Sequence, residues 1–372
     1  MTARGHDLVV VCAHAHYPEP IWGRRLKPYR EIRDGIPVYR LPLKIGRRSK
    51  AQRLSQELSF VASLSAAAPL LPPADAIVAI SPSFPALLPA MANAAARSTP
   101  WVIWLQDILP DGAASTGYVE QSGPIYKASR WLEDSAYRSA AHVVVLSETF
   151  RENLVSKGVP ASKISLAYNP ATFPAESRYL RSARPGDPPR ILCMGNIGRS
   201  QNLPAIVEAF EADPRLAELG ARLVIAGTGV SEPEVRAAVR TDRVEMPGLL
   251  LGQDLIDELE RAHLGLVSQS YEGAEFNVPS KLMNYLAVGL PVISSVNPEG
   301  EVASILESSG AGWVTDRVDT GLFASSAARV LEDQTELERR SRLGVEFAEA
   351  NLMPDKLAAR FDSLLAEIAP GN

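Results

Sequence analysis

The amino-acid sequence predicts an α/β protein made of two doubly wound, Rossmann-like domains. Three observations carry that prediction. Short β-rich apolar runs alternate with helical patterns along the chain, which argues for mostly parallel sheets covered by helices. A segment rich in Pro, Gly and charge, ARPGDPP at 183–189, breaks the alternation into two series. At 372 residues the chain is long enough for two domains, each with a sizeable core.

The first series begins with LVVVCA (8–13), then a long loop and IPVYRLPL (36–43). AIVAI (76–80) ends at the turn-like SPSFP, and WVIWLQDILP (101–110) is a strand running into a loop. HVVVLS (142–147) leads into a helix over 148–157 and then KISLAYN (163–169). AAAPLLPPA (66–74) reads as the end of a helix, because its prolines cannot continue one. The second series holds strands at RILCMG (190–195), ARLVIAGTG (221–229), VEMPG (244–248), LGLVSQ (264–269), PVISS (291–295) and GWVT (312–315). Helices fall between them at 203–210, from Pro233, at 254–262 and from Pro279, and a helical region ends the chain. The expected division is 1–180, 181–350 and a last helix, 351–372, packing back toward the first domain. Such folds bind ligands beyond the carboxyl ends of their strands, so a cleft between the domains is the expected site.

Composition excludes several function classes. The chain is 46% hydrophobic and 22% charged, with net charge -5 and pI about 5.7, which argues against a protein that coats nucleic acid. Cys12 and Cys193 lie in apolar strand-like runs and read as buried thiols. The five histidines show no ligand spacing, and no metal is predicted. No secretory signal is evident, and no apolar run reaches the roughly eighteen residues a spanning helix needs. A cytoplasmic protein is expected, with peripheral contact at the inner face of the membrane left open. Trp22, Arg24, Arg25, Lys27, Tyr29, Arg30 and Arg33 form a basic, aromatic stretch that reads as a solvated loop or as a lipid or acceptor surface.

The chemistry concentrates at strand ends. In VPSKLMNYLAVGLPV, Pro279 suits a helix's first turn, Ser280 can cap, and Lys281 adds a positive charge. Free amide groups at such a terminus can hold a phosphate, although an ordinary helix–strand joint with solvated Ser280 and Lys281 fits as well. Gly195, Asn196, Gly198, Arg199 and Gln201 follow the strand RILCM. The glycines permit close approach to a ligand, and Arg199 can clamp a diphosphate. This is not the dinucleotide fingerprint GxGxxG. Gly227, in AGTG, binds a ligand or simply makes a turn. Glu272 and Glu275 are the carboxylates nearest the Lys281 helix, as sugar-hydroxyl ligands or as solvated loop residues. In the first domain Gln106 and Asp107 end a strand that aims them into the expected cleft, with Asp111 beyond. His14 and His16 follow another strand, as structural groups, a base or acceptor-orienting groups. Ser81 and Ser147 mark similar ends, but no GxSxG is present, which argues against a hydrolase of the nucleophile-elbow type.

Several stretches together resemble a known family. They are GHDLVVV (5–11), YPEPIWG (17–23), WLQDILPDGAASTG (104–117), the run from Val143 to Pro170, GNIGRSQNL (195–203), VIAGTG (224–229) and VPSKLMNYLAVGLPVISS (278–295). In order and spacing the chain is similar to the family-4 retaining glycosyltransferases of GT-B fold. Within them it resembles the bacterial colanic-acid and O-antigen fucosamine-type polysaccharide transferases. The resemblance implies transfer of a sugar from a nucleotide-sugar donor, UDP-linked by family habit, to a lipid-linked or saccharide acceptor. No separate cofactor is implied. It assigns diphosphate binding to Gly195–Arg199 and phosphate and ribose binding to Pro279–Asn284. Donor and acceptor placement falls to Gln106 and Asp107, and Asp107, Gln106 and Glu272 are the expected catalytic residues.

The chain departs from the family pattern in three places. Phe276 and Asn284 stand where many members have two glutamates, and Asn196 and Gln201 stand where many have Arg and Lys. Family members also begin with a strand and a Gly-rich loop ahead of the helix that ends in ARGHD, so an upstream start is expected. Two further readings share the layout, a binding or scaffold protein without turnover and a sugar-nucleotide epimerase.

Overall fold

The computed structural model describes residues 1–14, 27–46, 49–81, 86–106, 123–173, 187–271 and 278–369. The chain forms two compact units. One comprises 1–146, 150–167 and 358–372, the other 147–149 and 168–357.

The first unit contains two sheets. Strands β1 (Val10–Ala13), β2 (Tyr29–Arg33) and β3 (Ile36–Leu41) pair in the order β1-β3-β2, with β1 parallel and β2 antiparallel to β3. The β2–β3 hairpin turns on Asp34 and Gly35, at φ 50° and 79°, the left-handed pair that a two-residue turn between twisted strands requires. The sequence expectation had only a loop at β2, because YREIR carries no apolar run. Strands β4 (Ile77–Ser81), β5 (Trp101–Leu105), β6 (His142–Val145) and β7 (Ile164–Leu166) form a parallel sheet in chain order. β6 is buried along its length and β5 at all but Trp104, which is why both read as unbroken apolar runs. The helix Lys50–Ala67 does end at the Pro-rich stretch. The Arg97 guanidinium collects the carbonyls of Ala68, Pro69, Leu71 and Pro72 at 3.0–3.2 Å, groups that a helix end leaves without partners. The helix Pro354–Ile368 brings Phe361 edge-on to Trp104 of β5, with ring centroids 5.1 Å apart.

The second unit is one six-stranded parallel sheet. Its strands are β8 (Arg190–Met194), β9 (Arg222–Ala226), β10 (Val244–Gly248), β11 (Leu264–Ser268), β12 (Val292–Val296) and β13 (Gly312–Asp316). Their order is β10-β9-β8-β11-β12-β13, so the winding reverses between β8 and β11. A doubly wound sheet opens its ligand crevice at that reversal, beyond the carboxyl ends of the strands. Two apolar clusters cover the sheet. One centres on Leu282, Tyr285 and Leu286, the other on Phe210, Val235 and Phe323. Tyr285 is fully buried and spans β8, its hydroxyl donating to the Leu192 carbonyl (2.8 Å) and accepting from the Met194 N–H (2.9 Å). Gly265 makes room for the ring, since a Cβ there would stand 2.6 Å from it.

Glu301, at the start of the helix Glu301–Ser309, is 3% exposed and accepts the Thr149 peptide N–H at 3.4 Å. Burial pushes its carboxyl above the ordinary 4.5, against the pull of the Thr149 and Glu148 peptide groups. A raised acid binds its proton more tightly in the folded than in the unfolded chain. Its contribution to stability is therefore full below 4.5 and is lost as pH rises through the raised value. Glu301→Gln keeps an acceptor for Thr149 and removes the charge. The variant's melting temperature is expected to gain on the native protein's between pH 5 and pH 8, and a difference constant over that range would refute the assignment.

Candidate functional site

The switch point carries most of the residues singled out in the second domain. β8 ends at Met194, Gly195 turns at φ 108°, and the loop reaches a short turn at Arg199–Gln201 before the helix Leu203–Ala212. This loop lies directly on the one after β9. The Gly195 N–H donates to the Ala226 carbonyl (2.8 Å), the Ile197 N–H to the Thr228 carbonyl (2.9 Å) and the Ser231 N–H to the Ile197 carbonyl (3.0 Å). A Cβ on Gly227 would stand 1.8 Å from the Gly195 carbonyl oxygen, and one on Gly229 would stand 2.3 Å from that of Ile197. The glycines of AGTG therefore admit the backbone of the neighbouring loop. From the other side, the Ser268 hydroxyl donates to the Gln201 carbonyl and the Ser270 N–H to that of Ser200 (2.7 Å). Strand ends on both flanks thus fix the glycine loop.

The helix Ser280–Ala287 starts beside it. Pro279 takes the N-cap position, with φ -63° and ψ 127°, so Ser280 is the first helical residue and no side chain caps the end. The sequence expectation of a Ser280 cap fails because Pro279 already holds the half-in position. The first amides of the helix stay unsatisfied by it, at its positive end. Lys281 is 8% exposed. Its ammonium donates to Gln201 Oε1 (2.5 Å) and to Cys193 Sγ (3.3 Å), and its Cε lies 4.0 Å from where a Gly195 Cβ would be. Both partners are neutral, and among the described residues no carboxylate pairs with Lys281. Gln201 is held in turn by its amide, which donates to the Asn196 carbonyl. A buried ammonium with only neutral acceptors favours an anion beside it.

Asn284, one helical turn on, is also 8% exposed, and its Oδ1 accepts from the Thr172 N–H (2.8 Å) and hydroxyl (3.0 Å). Arg199 is exposed. Tyr271, just past β11, is 75% exposed, with the Arg317 guanidinium 5.3 Å from its ring centre.

The structure thus brings Gly195, Asn196, Gly198, Arg199, Gln201, Gly227, Pro279, Ser280, Lys281 and Asn284 to one end of one sheet. Gln106 sits at the end of β5 in the first unit, its N–H on the Ser81 carbonyl at 3.0 Å. Asp107, Asp111, His16, Glu272, Glu275 and Phe276 lie outside the described residues, as do Trp22, Arg24 and Arg25. His14 is buried, its N–H donating to the Leu41 carbonyl (2.8 Å) and its ring 5.2 Å from that of Tyr29. Ser147 shares a hydrogen bond with Thr149 at 2.9 Å. Cys193 and Thr172, which contact Lys281 and Asn284, carried no site signal in sequence, since each reads as an ordinary core or linker residue. Among the described residues no group of three His, Cys, Asp or Glu could hold a metal ion.

Two family models match the chain in succession, a glycosyl transferase 4-like domain over residues 1–170 and a glycosyl transferases group 1 domain over 188–333. The colanic acid biosynthesis glycosyl transferase WcaI of Escherichia coli K12 is 25% identical over 332 residues, 83% of this chain and 80% of that protein. Among solved structures, the sucrose-phosphate synthase of Thermosynechococcus elongatus superposes with a TM-score of 0.72 at 15% identity. That match covers 98% of this chain and 90% of the other. Anabaena Alr3699/HepE in complex with UDP and glucose gives 0.63 at 15% identity, over 89% and 86%. The chain is therefore a nucleotide-sugar-dependent glycosyltransferase with the GT-B fold. Its family is the one that joins a glycosyl transferase 4-like domain to a group 1 domain, as expected from its motifs.

Proposed function

We propose that this glycosyltransferase takes a sugar from a UDP-linked donor, with retention at the anomeric carbon, and places it on a lipid-linked or saccharide acceptor in bacterial surface-polysaccharide assembly. The observation that carries the donor site is Lys281, a buried ammonium with neutral partners, beside a glycine loop at the sheet's switch point. A diphosphate supplies a counter-charge that no carboxylate among the described residues provides. As the sugar's bond to the diphosphate breaks, negative charge grows on the leaving oxygen, and Lys281, Arg199 and the amides of Ser280 and Lys281 at the helix start are the groups offered to stabilise it. Asp107, Gln106 and Glu272 complete the proposal as the groups that place donor and acceptor.

The likeness to proteins named for colanic acid biosynthesis supports the acceptor class. Among the described residues no helix is long and apolar enough to cross a membrane. Action at the inner face by peripheral contact is part of the proposal, supported by the exposed Lys27, Arg30 and Arg33. The test is incubation of the full chain with radiolabelled UDP-sugars and bacterial membrane vesicles. Label in the lipid extract, with its anomeric configuration retained, is the expected result. Inverted product, or a new sugar nucleotide formed without acceptor, would sink it.

A further inference from the structure

The helix Lys50–Ala67 turns polar side chains inward and leucines outward. Gln56, Ser59 and Ser63 form one stripe of it, and they bond the backbone of the segment 42–46. Gln56 is 7% exposed, and its Oε1 accepts the Gly46 N–H at 3.2 Å. The Ser59 hydroxyl accepts the Lys44 N–H at 2.8 Å, and the Ser63 hydroxyl donates to the Pro42 carbonyl at 2.7 Å. The leucines stand on a different face. Ala51, Leu54, Leu58 and Ala62 repeat at helical spacing and are all exposed, Leu54 at 47% and Leu58 at 55%. A helix whose outer face meets only water carries polar groups there and packs its leucines inward. The neighbouring helix Leu87–Arg97 continues the pattern, with Leu88, Ala92 and Ala95 exposed along it. Glu57 is the one acidic residue in the two helices. The chain enters the first of them through KIGRRSKAQR (44–53), which has five basic residues and no acidic one.

We propose that this face docks the protein on an anionic lipid surface, with Leu54, Leu58 and Leu88 entering the interface and the positive charge at the helix's start drawing in lipid phosphates. This rests on the reading of a lipid-linked acceptor above, and it gives the peripheral contact a place other than Lys27, Arg30 and Arg33. The chemistry of the face selects the occupant. Alanine and leucine side chains offer no hydrogen-bond group, so they fix no geometry for a folded partner, whereas a fluid apolar layer needs none. Positive charge with a single acidic residue matches the negative inner leaflet. Among the described residues no helix is long and apolar enough to cross a membrane, so this helix lies in the interface.

The test is flotation of the full chain with vesicles of phosphatidylcholine alone or with phosphatidylglycerol added, in the absence of donor and acceptor. Binding is expected to need the anionic lipid, by about fivefold for each basic residue near the surface, and to weaken as salt rises from about 0.1 to 0.5 M. Leu54→Gln with Leu58→Gln is expected to cut it by about tenfold or more. Both positions are exposed, so the melting temperature should stay in place. Undiminished binding by the leucine variant, equal binding to neutral vesicles, or a larger loss from Arg30→Gln with Arg33→Gln would overturn the proposal. So would a native chain that sediments as a dimer and a leucine variant that sediments as a monomer, since the face would then belong to a second copy. Titration of the same samples with UDP keeps the two readings apart. A native chain that binds UDP but no vesicle overturns the docking face alone. A second measurement does not depend on the double variant. A polarity-sensitive fluorophore on Leu58→Cys is expected to shift to the blue on anionic vesicles, beyond any change in the labelled native chain with Cys12 and Cys193. A fluorophore that reports water throughout overturns the proposal.

Discussion

Lys281→Met is expected to lower UDP affinity by about a hundredfold while leaving the free protein as stable as before, or more so. The two effects have one cause. In the free protein the ammonium is buried, at 8% exposure, against Gln201 Oε1 and Cys193 Sγ, neither of which neutralises it. Holding a charge there costs free energy that a methionine of similar length does not incur, and the apolar part of the stem still packs beside Gly195. With a diphosphate present the ammonium gains a charge-assisted bond worth roughly 1.5–3 kcal/mol, and the variant forfeits it. Calorimetric titration gives the affinity and a thermal melt gives the stability. A variant that melted well below the native protein would mark Lys281 as structural, and one with unchanged affinity would remove it from the site.

Gly227→Ala should damage both fold and site. The added methyl would stand 1.8 Å from the Gly195 carbonyl oxygen, beside the 2.8 Å hydrogen bond from Gly195 to Ala226. Backbone meets backbone there, so no side chain can rotate away, and the two loops must part. The expected cost is roughly 3 kcal/mol, at the upper end for overpacking, together with loss of UDP binding as Gly195 moves off Lys281. Gly220 provides the control. It also has positive φ, at 62°, but a Cβ there meets nothing within 4 Å, so Gly220→Ala should cost only about 1 kcal/mol of backbone strain. Denaturant titration separates the two. Equal costs would show that the close approach of the loops does not matter.

The site was partly legible before the fold was known, and the reason is visible in particular residues. GNIGRSQNL and VPSKLMNYL stand at a strand's end and a helix's start, and both places can be read from local pattern. Their meeting could not be read. Lys281 reaches Gln201 and Cys193 across 80 and 88 residues only because β8 and β11 are neighbours, and strand order leaves no mark on apolar periodicity. Gly227 read as a ligand-binding or a turn residue until Gly195 lay against it. Nor could the sequence show that Thr172 meets the Asn284 oxygen.

The fold divides in the same way. By itself the sequence determined the class of the protein, two α/β domains with parallel strands. Strands buried on both faces, such as β6, β8 and β11, are mostly apolar along their length and so announce themselves. The order of motifs along the chain likewise announced the glycosyltransferase family. Only tertiary structure decided the antiparallel β2, whose YREIR needs no apolar run because three of its five residues are exposed. Only tertiary structure decided where the units exchange, around 147–149, at 167/168 and again inside the helix Pro354–Ile368. Local pattern reports which face of an element is buried. Which element buries it, and which buried charge is left without a counter-ion, depends on contacts between residues far apart in the chain.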